Sequence, residues 1–418
     1  MGNFLAKNKL SSVYLNIGAI ILGAILGLVL GETACGLKFI GTIWLNCIKL
    51  IMVPLVLCIV VTSIGSQQDL SSLGRVATRI VAFYMTTTLM AIAIGIAVAF
   101  VFKPGIGFNI ALEGAQAAAK TVSLSVQDFF LSLFPSNLFK TLSDGDVLGT
   151  LVIGILFGVS VIKIKDVEKK RTVLRCFDSL NALINEYLRM IINLSPIGVL
   201  CLMADSFGKY GLTVFTTMAK FFGTFYVGLA IQVLLVYGIV LLIFARMNIF
   251  KFLRDATPVW SFTLATCSST ANIPNSIKTA REVFNVPDNI ASFTIPLGAT
   301  LNYDGLVMAF GCVLITVAQM NGIVFGAGTL IHIMLVGLLL SSCGSGIPGG
   351  GVVKIMMILG TFGLPTEFAG LLAGFYRFFD MGITTVNCLG DLVGTVCVAK
   401  AEERRKNNSY SKYIPVVF

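Results

Sequence analysis

Three aspartates, Asp304, Asp380 and Asp391, stand in or beside strongly apolar stretches of a 418-residue chain. A carboxylate at membrane depth costs at least about 2.5 kcal/mol, and residues kept there mark ion pathways, proton relays or counter-ions. Arg377 lies three residues before Asp380, so an internal Asp–Arg pair is the structural alternative for that aspartate. Asp304 and Asp391 each sit in a cluster that interrupts a helical pattern, Asn302-Tyr303-Asp304-Gly305 and Asn387-Cys388-Leu389-Gly390-Asp391. Carboxylates together with freed backbone carbonyls form hard oxygen cages suited to a small cation. Two further clusters, Thr266 to Pro274 and Ser341 to Gly351, each place serines a few residues before Ile-Pro. A half-helix starting at such a tip offers N–H groups and the positive end of its dipole to a substrate carboxylate. A cation site beside a carboxylate site is the chemistry of an ion-coupled amino-acid carrier.

The elements that must position these groups are membrane helices. Hydrophobic residues make up 56% of the chain and charged ones 12%, with mean hydropathy +0.91; soluble chains carry about 25% charged residues. Apolar runs recur at 14–31, 41–64, 80–102, 147–162, 190–204, 221–245 and 355–376, and a span needs about 20 such residues. The roughly ten-residue alternating segments of a membrane β-barrel are absent from the pattern. From residue 255 onward the apolar segments shorten, and four polar or Gly/Pro clusters break them. Unwound backbone in hydrocarbon is tolerated only where protein buries it or where it lines a wet cavity. The clusters pair as hairpin then broken helix, twice over, which predicts an inverted repeat with its site near the midplane.

Charge placement sets the orientation. Lys7, Lys9, Arg75, Arg79, the cluster from Lys163 to Arg175, Arg246 to Arg254, Lys278, Arg281 and the tail from Lys400 fall on one side of the alternating spans. That side is cytoplasmic by the positive-inside rule. Topology thus accounts for the net charge of +10, and no basic stripe with interleaved aromatics calls for a nucleic-acid partner. The ten cysteines lack C-x-x-C spacing and read as small buried hydrophobes. The first apolar run is too long for a signal peptide and has no A-x-A site, so it reads as a retained helix. His332 reads as interfacial or packed, and Lys49, Lys220 and Lys354 as snorkelling to an interface. The glycines from Gly344 to Gly351 lack the Lys-Ser/Thr of a phosphate loop and suit a tight re-entrant tip.

At these residues the sequence resembles the glutamate/neutral amino acid transporter family, the dicarboxylate/amino acid:cation symporters. The match runs over nearly the whole chain. It is most specific in the serine-rich first hairpin, the Asn302–Gly305 break, the Pro348-Gly349 tip, and Asp380 to Asp391. The resemblance implies an all-α polytopic membrane protein of eight transmembrane helices and two re-entrant hairpins, working as an elevator in a homotrimer. Residues 1–76 and 125–212 would form the scaffold, helices 1–2 and 4–5. Residues 77–124 (helix 3 and outer loop) and 213–400 (helix 6, hairpin 1, helix 7, hairpin 2, helix 8) would form the transport domain, and 401–418 a cytoplasmic tail.

Carried over residue by residue, the resemblance gives the substrate amino group to Asp380 and Thr384, and its carboxylate to Asn387 and Ser269. One sodium site would use Asp391 with carbonyls of Gly298, Asn302 and Asn387. A second would use Asp304, Asn302, Thr87, Thr88 and the Tyr84 carbonyl. A third would use carbonyls of Thr300, Ser341, Ser342 and Gly344, with Tyr303 in place of the family's methionine. Acidic-substrate members place an arginine where this chain has Ile383 and a threonine where it has Leu306. A side-chain carboxylate buried without its guanidinium costs several kcal/mol. A structural arginine of the first hairpin in some members is Cys267 here, with Arg377 one turn from Asp380 as its substitute. The expectation is sodium-coupled symport of a neutral L-amino acid across the cell membrane. Proton- or sodium-coupled glutamate, aspartate or dicarboxylate symport is the alternative. An intramembrane aspartyl protease would need the missing Gly of Gly-x-Gly-Asp, and a pure channel would not need a matched ammonium and carboxylate site; the chain reads as no enzyme.

Overall fold

The computed structural model describes residues 2–66, 74–107, 134–341 and 350–411, and every regular element among them is helical. The chain opens with α1 (Gly2–Leu30), a 3-10 turn (Gly31–Leu37), α2 (Lys38–Leu50), α3 (Met52–Gly65) and α4 (Gly74–Phe102). Next come α5 (Leu138–Ser143), α6 (Val147–Lys163), α7 (Val167–Asn193) and α8 (Ser195–Tyr210). Then α9 (Thr213–Ile231) runs on through two π-helical turns, Gln232–Tyr237 and Leu241–Ala245. Short α10 (Ile249–Asp255) leads into a hairpin of α11 (Thr257–Thr266) and α12 (Ser269–Glu282). The chain then forms α13 (Asp288–Leu301), α14 (Asp304–Met320), α15 (Ala327–Ser341), α16 (Gly350–Thr361), α17 (Glu367–Gly374) and α18 (Tyr376–Ser411).

Among the described residues five helical stretches are long and apolar enough to cross a bilayer, or six if α7 and α8, bent by 51°, count as one. The first, residues 15–65, folds back on itself. Rising along α1, Asn16 accepts a bond from Ser195 Oγ at 3.0 Å, and Gly27 lies on the Ala204 carbonyl, where a Cβ would approach to 2.6 Å. Along α2 the order reverses: Trp44 Nε1 donates to the Ile191 carbonyl at 2.9 Å and Tyr187 donates to the Cys47 carbonyl at 3.1 Å. The turn at Gly31–Leu37 therefore sends the chain back along the same partner.

Enclosure decides where the backbone can break. The apolar windows of 288–320 and 376–405 are 94% and 89% buried, against 39–44% for the first stretch, α4 and α9. The predicted break at Asn302 lies in one of these enclosed stretches, with Asn302 extended at φ −104°, ψ 104°. The predicted hairpin tip lies at Cys267 and Ser268, where Ser268 Oγ caps α12 by accepting from Ala271 N–H at 3.3 Å.

Three expectations need correction. The break predicted over Asp380–Asp391 does not occur, since α18 is continuous from Tyr376. One helical glycine costs only about 1 kcal/mol, and the polar side chains there bond across to neighbouring helices and leave their own backbone helical. The apolar run 355–376 is not one span: α16 ends at Thr361, Gly363 takes a positive φ of 62°, and Pro365 disfavours a helical residue before it, so α17 starts only at Glu367. The run 190–204 straddles the bend at Leu194, beside Pro196. The second hairpin tip, with Ser342, Gly344, Pro348 and Gly349, and much of the 104–125 connection lie outside the described residues.

Candidate functional site

Asp304 opens α14 from the centre of the protein and is fully buried. Four side chains from two other helices hold it. Thr88 and Thr87 of α4 donate to Oδ1 at 2.8 and 3.3 Å. Tyr237 and Gln232 donate to Oδ2 at 2.7 and 3.1 Å. Gln232 and Tyr237 bound the first π turn of α9, and the wider turn brings both onto one carboxylate; π bulges commonly mark functional positions. Neither residue was expected. The available signal was Gln232, a lone amide within the apolar run 221–245.

Asp391, on α18, accepts from Asn302 Nδ2 at 2.9 Å, and the same amide reaches the Asn387 carbonyl at 3.2 Å. Gly298 faces this carboxylate so closely that a Cβ would collide with Asp391 Oδ1 and come within 2.6 Å of the Tyr84 hydroxyl. Tyr84 is fully buried and donates to the Thr294 carbonyl at 3.0 Å, while its own carbonyl accepts from Thr87 Oγ1 at 3.2 Å. The sequence-predicted residues Tyr84, Thr87, Thr88, Gly298, Asn302, Asn387, Asp304 and Asp391 thus assemble around two buried carboxylates.

Neither Asp304 nor Asp391 has an ion pair among the described residues. Beside them, Asn302 Oδ1 and Gln232 Oε1 are buried acceptors without a hydrogen-bond donor among the described residues. Each orphaned acceptor costs about 1–3 kcal/mol. A small hard cation satisfies carboxylate and amide oxygens together, so the residues present fit an ion such as Na+. The third ion set stays incomplete among the described residues. Thr300 is exposed with its hydroxyl on the Leu297 carbonyl at 2.8 Å, Ser341 is buried with its own on Leu338 at 2.6 Å, and the other two members fall outside.

Next to the carboxylates opens a pocket lined by all six expected substrate residues, Ser269, Leu306, Asp380, Ile383, Thr384 and Asn387. Thr384 Oγ1 donates to Asp380 Oδ1 at 3.0 Å and fixes that carboxylate. Asn387 Oδ1 accepts from Gly305 N–H at 2.8 Å, so its NH2 is the group left to face the pocket. Ser269 begins α12 at the capped hairpin tip. Tyr303 also lines the pocket, its hydroxyl donating to the Ala299 carbonyl at 2.9 Å.

Two charges differ from expectation. Arg377 donates to the Ala265 carbonyl at the end of α11 and so ties α18 to the first hairpin; a guanidinium favours free helix-end carbonyls. Lys354 does not snorkel to an interface. It lines the pocket at 8% exposure, with Nζ 4.2 Å from the centre of the Tyr303 ring, because α16 faces inward and a cation over an aromatic face is held well in a dry site.

The sequence pattern of the sodium:dicarboxylate symporter family matches residues 13–401. The chain belongs to that family. Among its relatives, a proton/sodium-glutamate symport protein of Bacillus subtilis (strain 168) is 30% identical over 397 residues, 92% of each chain. One of the same description from Bacillus caldotenax is 29% identical over 409 residues, 94% of this chain and 96% of the relative. A C4-dicarboxylate transport protein of Rhizobium johnstonii is 30% identical over 396 residues, 92% of this chain and 88% of the relative. This symporter-family member is a multi-pass helical membrane protein and a secondary transporter. The names of these relatives give glutamate and C4-dicarboxylates as their substrates.

Proposed function

We propose that the protein is a sodium-coupled symporter of an acidic amino acid or closely related dicarboxylate, with protons as the alternative coupling ion. The observation that carries this reading is the segment Asn302–Leu306. Asn302 and Asp304 belong to the buried carboxylate sites, while Tyr303 and Leu306 line the pocket. A cation drawn to Asp304 or Asp391 orders the backbone that also shapes the pocket, and this links ion to substrate.

In this account Asp380, steadied by Thr384, takes the substrate ammonium, and Asn387 with the α12 terminus at Ser269 takes the α-carboxylate. The cations neutralise Asp304 and Asp391, whose charge otherwise costs at least about 2.5 kcal/mol each at membrane depth; only the loaded carrier then crosses readily. The reversal at Gly31–Leu37 and the short helix α6 support eight crossings. The packing of α1 and α2 on α7 and α8, apart from the enclosed α13, α14 and α18, supports a scaffold of 1–76 and 125–212 around a moving domain of 77–124 and 213–400. The homotrimer and the plasma membrane are part of the same proposal.

A neutral amino acid is the second reading, favoured by Ile383 and Leu306 in the pocket wall. Uptake into proteoliposomes separates the two. Labelled L-aspartate or L-glutamate should accumulate under an inward sodium gradient, and excess L-serine or L-alanine should compete poorly. Accumulation of labelled L-serine with aspartate ineffective as competitor would overturn the acidic reading, and accumulation under a pH gradient without sodium would move the coupling to protons.

A further inference from the structure

We infer that Lys354 supplies the positive charge for a second carboxylate on the substrate. The inference rests on the proposed acidic substrate and names the residue that selects it. Lys354 is the one lysine among the residues lining the pocket, and at 8% exposure its charge is almost wholly withdrawn from water. Burying an ammonium is costly, and such groups persist where a charge partner or function keeps them.

Its placement suits a substrate contact. Nζ is held 4.2 Å from the centre of the Tyr303 ring, and Tyr303 belongs to the segment shared with the cation sites. An ammonium has three donors in three directions, so one lysine can serve more than one partner at once, and the pocket wall is where a substrate carboxylate would meet it. Asp380 and Lys354 then give one pocket both signs of charge, Asp380 for the substrate's ammonium and Lys354 for its distal carboxylate. Ile383 and Leu306 pack the methylenes between. The positive charge of this pocket thus comes from α16, while α18 supplies Asp380 and Ile383. Lysine carries its charge as a compact point without the planar fork of arginine, so selectivity between aspartate and glutamate should be looser than for a bidentate site.

The test compares Lys354→Met, Lys354→Arg and the wild type for binding of L-aspartate and L-serine in saturating sodium, with sodium-induced thermal stabilisation as the check of folding. Removing one partner of a buried charge pair costs binding at least about thirtyfold. Lys354→Met should therefore lose at least about thirtyfold in L-aspartate affinity, keep its sodium-induced stabilisation, and lose no L-serine affinity; Lys354→Arg should recover L-aspartate binding. Unchanged L-aspartate affinity in Lys354→Met would overturn the inference while leaving an acidic substrate in place. A wild type that binds L-serine and not L-aspartate would instead overturn the proposed substrate. Equal loss of both substrates in Lys354→Met, without rescue by Lys354→Arg, would make Lys354 a structural residue and also end the inference.

Discussion

The Tyr237 hydroxyl donates to Asp304 Oδ2 at 2.7 Å across the fully buried centre of the protein. It does so from a π turn, so a local widening of α9 is tied directly to a carboxylate on α14. Tyr237→Phe removes the hydroxyl's bond to a charged acceptor, and its weaker one to the Val386 carbonyl at 3.2 Å, without opening a cavity. Hydrogen bonds to charged groups contribute about 1.5–3 kcal/mol. Unfolding of the detergent-purified variant without sodium should show a loss of that order, and an unchanged stability would mean that the bond holds nothing in place.

Asp304→Asn and Asp391→Asn each take the charge from one cation site. A ligand present at about a hundred times its Kd stabilises by about 2.7 kcal/mol. The sodium-induced rise in melting temperature should shrink in each single variant and vanish in the double variant. A full sodium response in the double variant would place the ions elsewhere.

Gly298→Ala sets a methyl group against Asp391 Oδ1 and the Tyr84 hydroxyl, two groups that cannot retreat because both are buried. The half-saturating sodium concentration for uptake should rise at least about tenfold, equivalent to about 1.4 kcal/mol. Wild-type sodium dependence in this variant would show that the carboxylate has room to move.

Arg377 acts on the first hairpin through the Ala265 carbonyl, so Arg377→Gln should lower transport rate while leaving the ranking of L-aspartate over L-serine intact. A reversal of that ranking would make Arg377 the selectivity residue in place of Lys354.

What the sequence disclosed follows from the cost of polar groups in hydrocarbon. Asp304, Asp380 and Asp391 were visible because a carboxylate persists in an apolar run only where its charge is paired or used. Asn302–Gly305 reads as a break, and the helix does end there. The cluster Asn387–Asp391 has the same composition and stays helical, because its side chains find partners in Gly305 N–H and Asn302 Nδ2; that difference is tertiary. Lys354 misled for a related reason. A lysine immediately before the apolar run 355–376 fits both an interfacial tip and an inward face, and only the facing of α16 decides between them. Gln232 was legible in principle, whereas Tyr237 looks like any aromatic in a membrane helix until the π turn brings it to Asp304.

The central claim is that the cation sites and the pocket share the segment Asn302–Leu306, and linkage makes such coupling reciprocal. The most direct measurement is the affinity of purified protein for L-aspartate over a range of sodium concentrations, paired with its affinity for sodium over a range of L-aspartate. The account predicts that each ligand tightens the other by the same factor, and that Asp391→Asn reduces both effects together. L-aspartate affinity that does not change with sodium would contradict it.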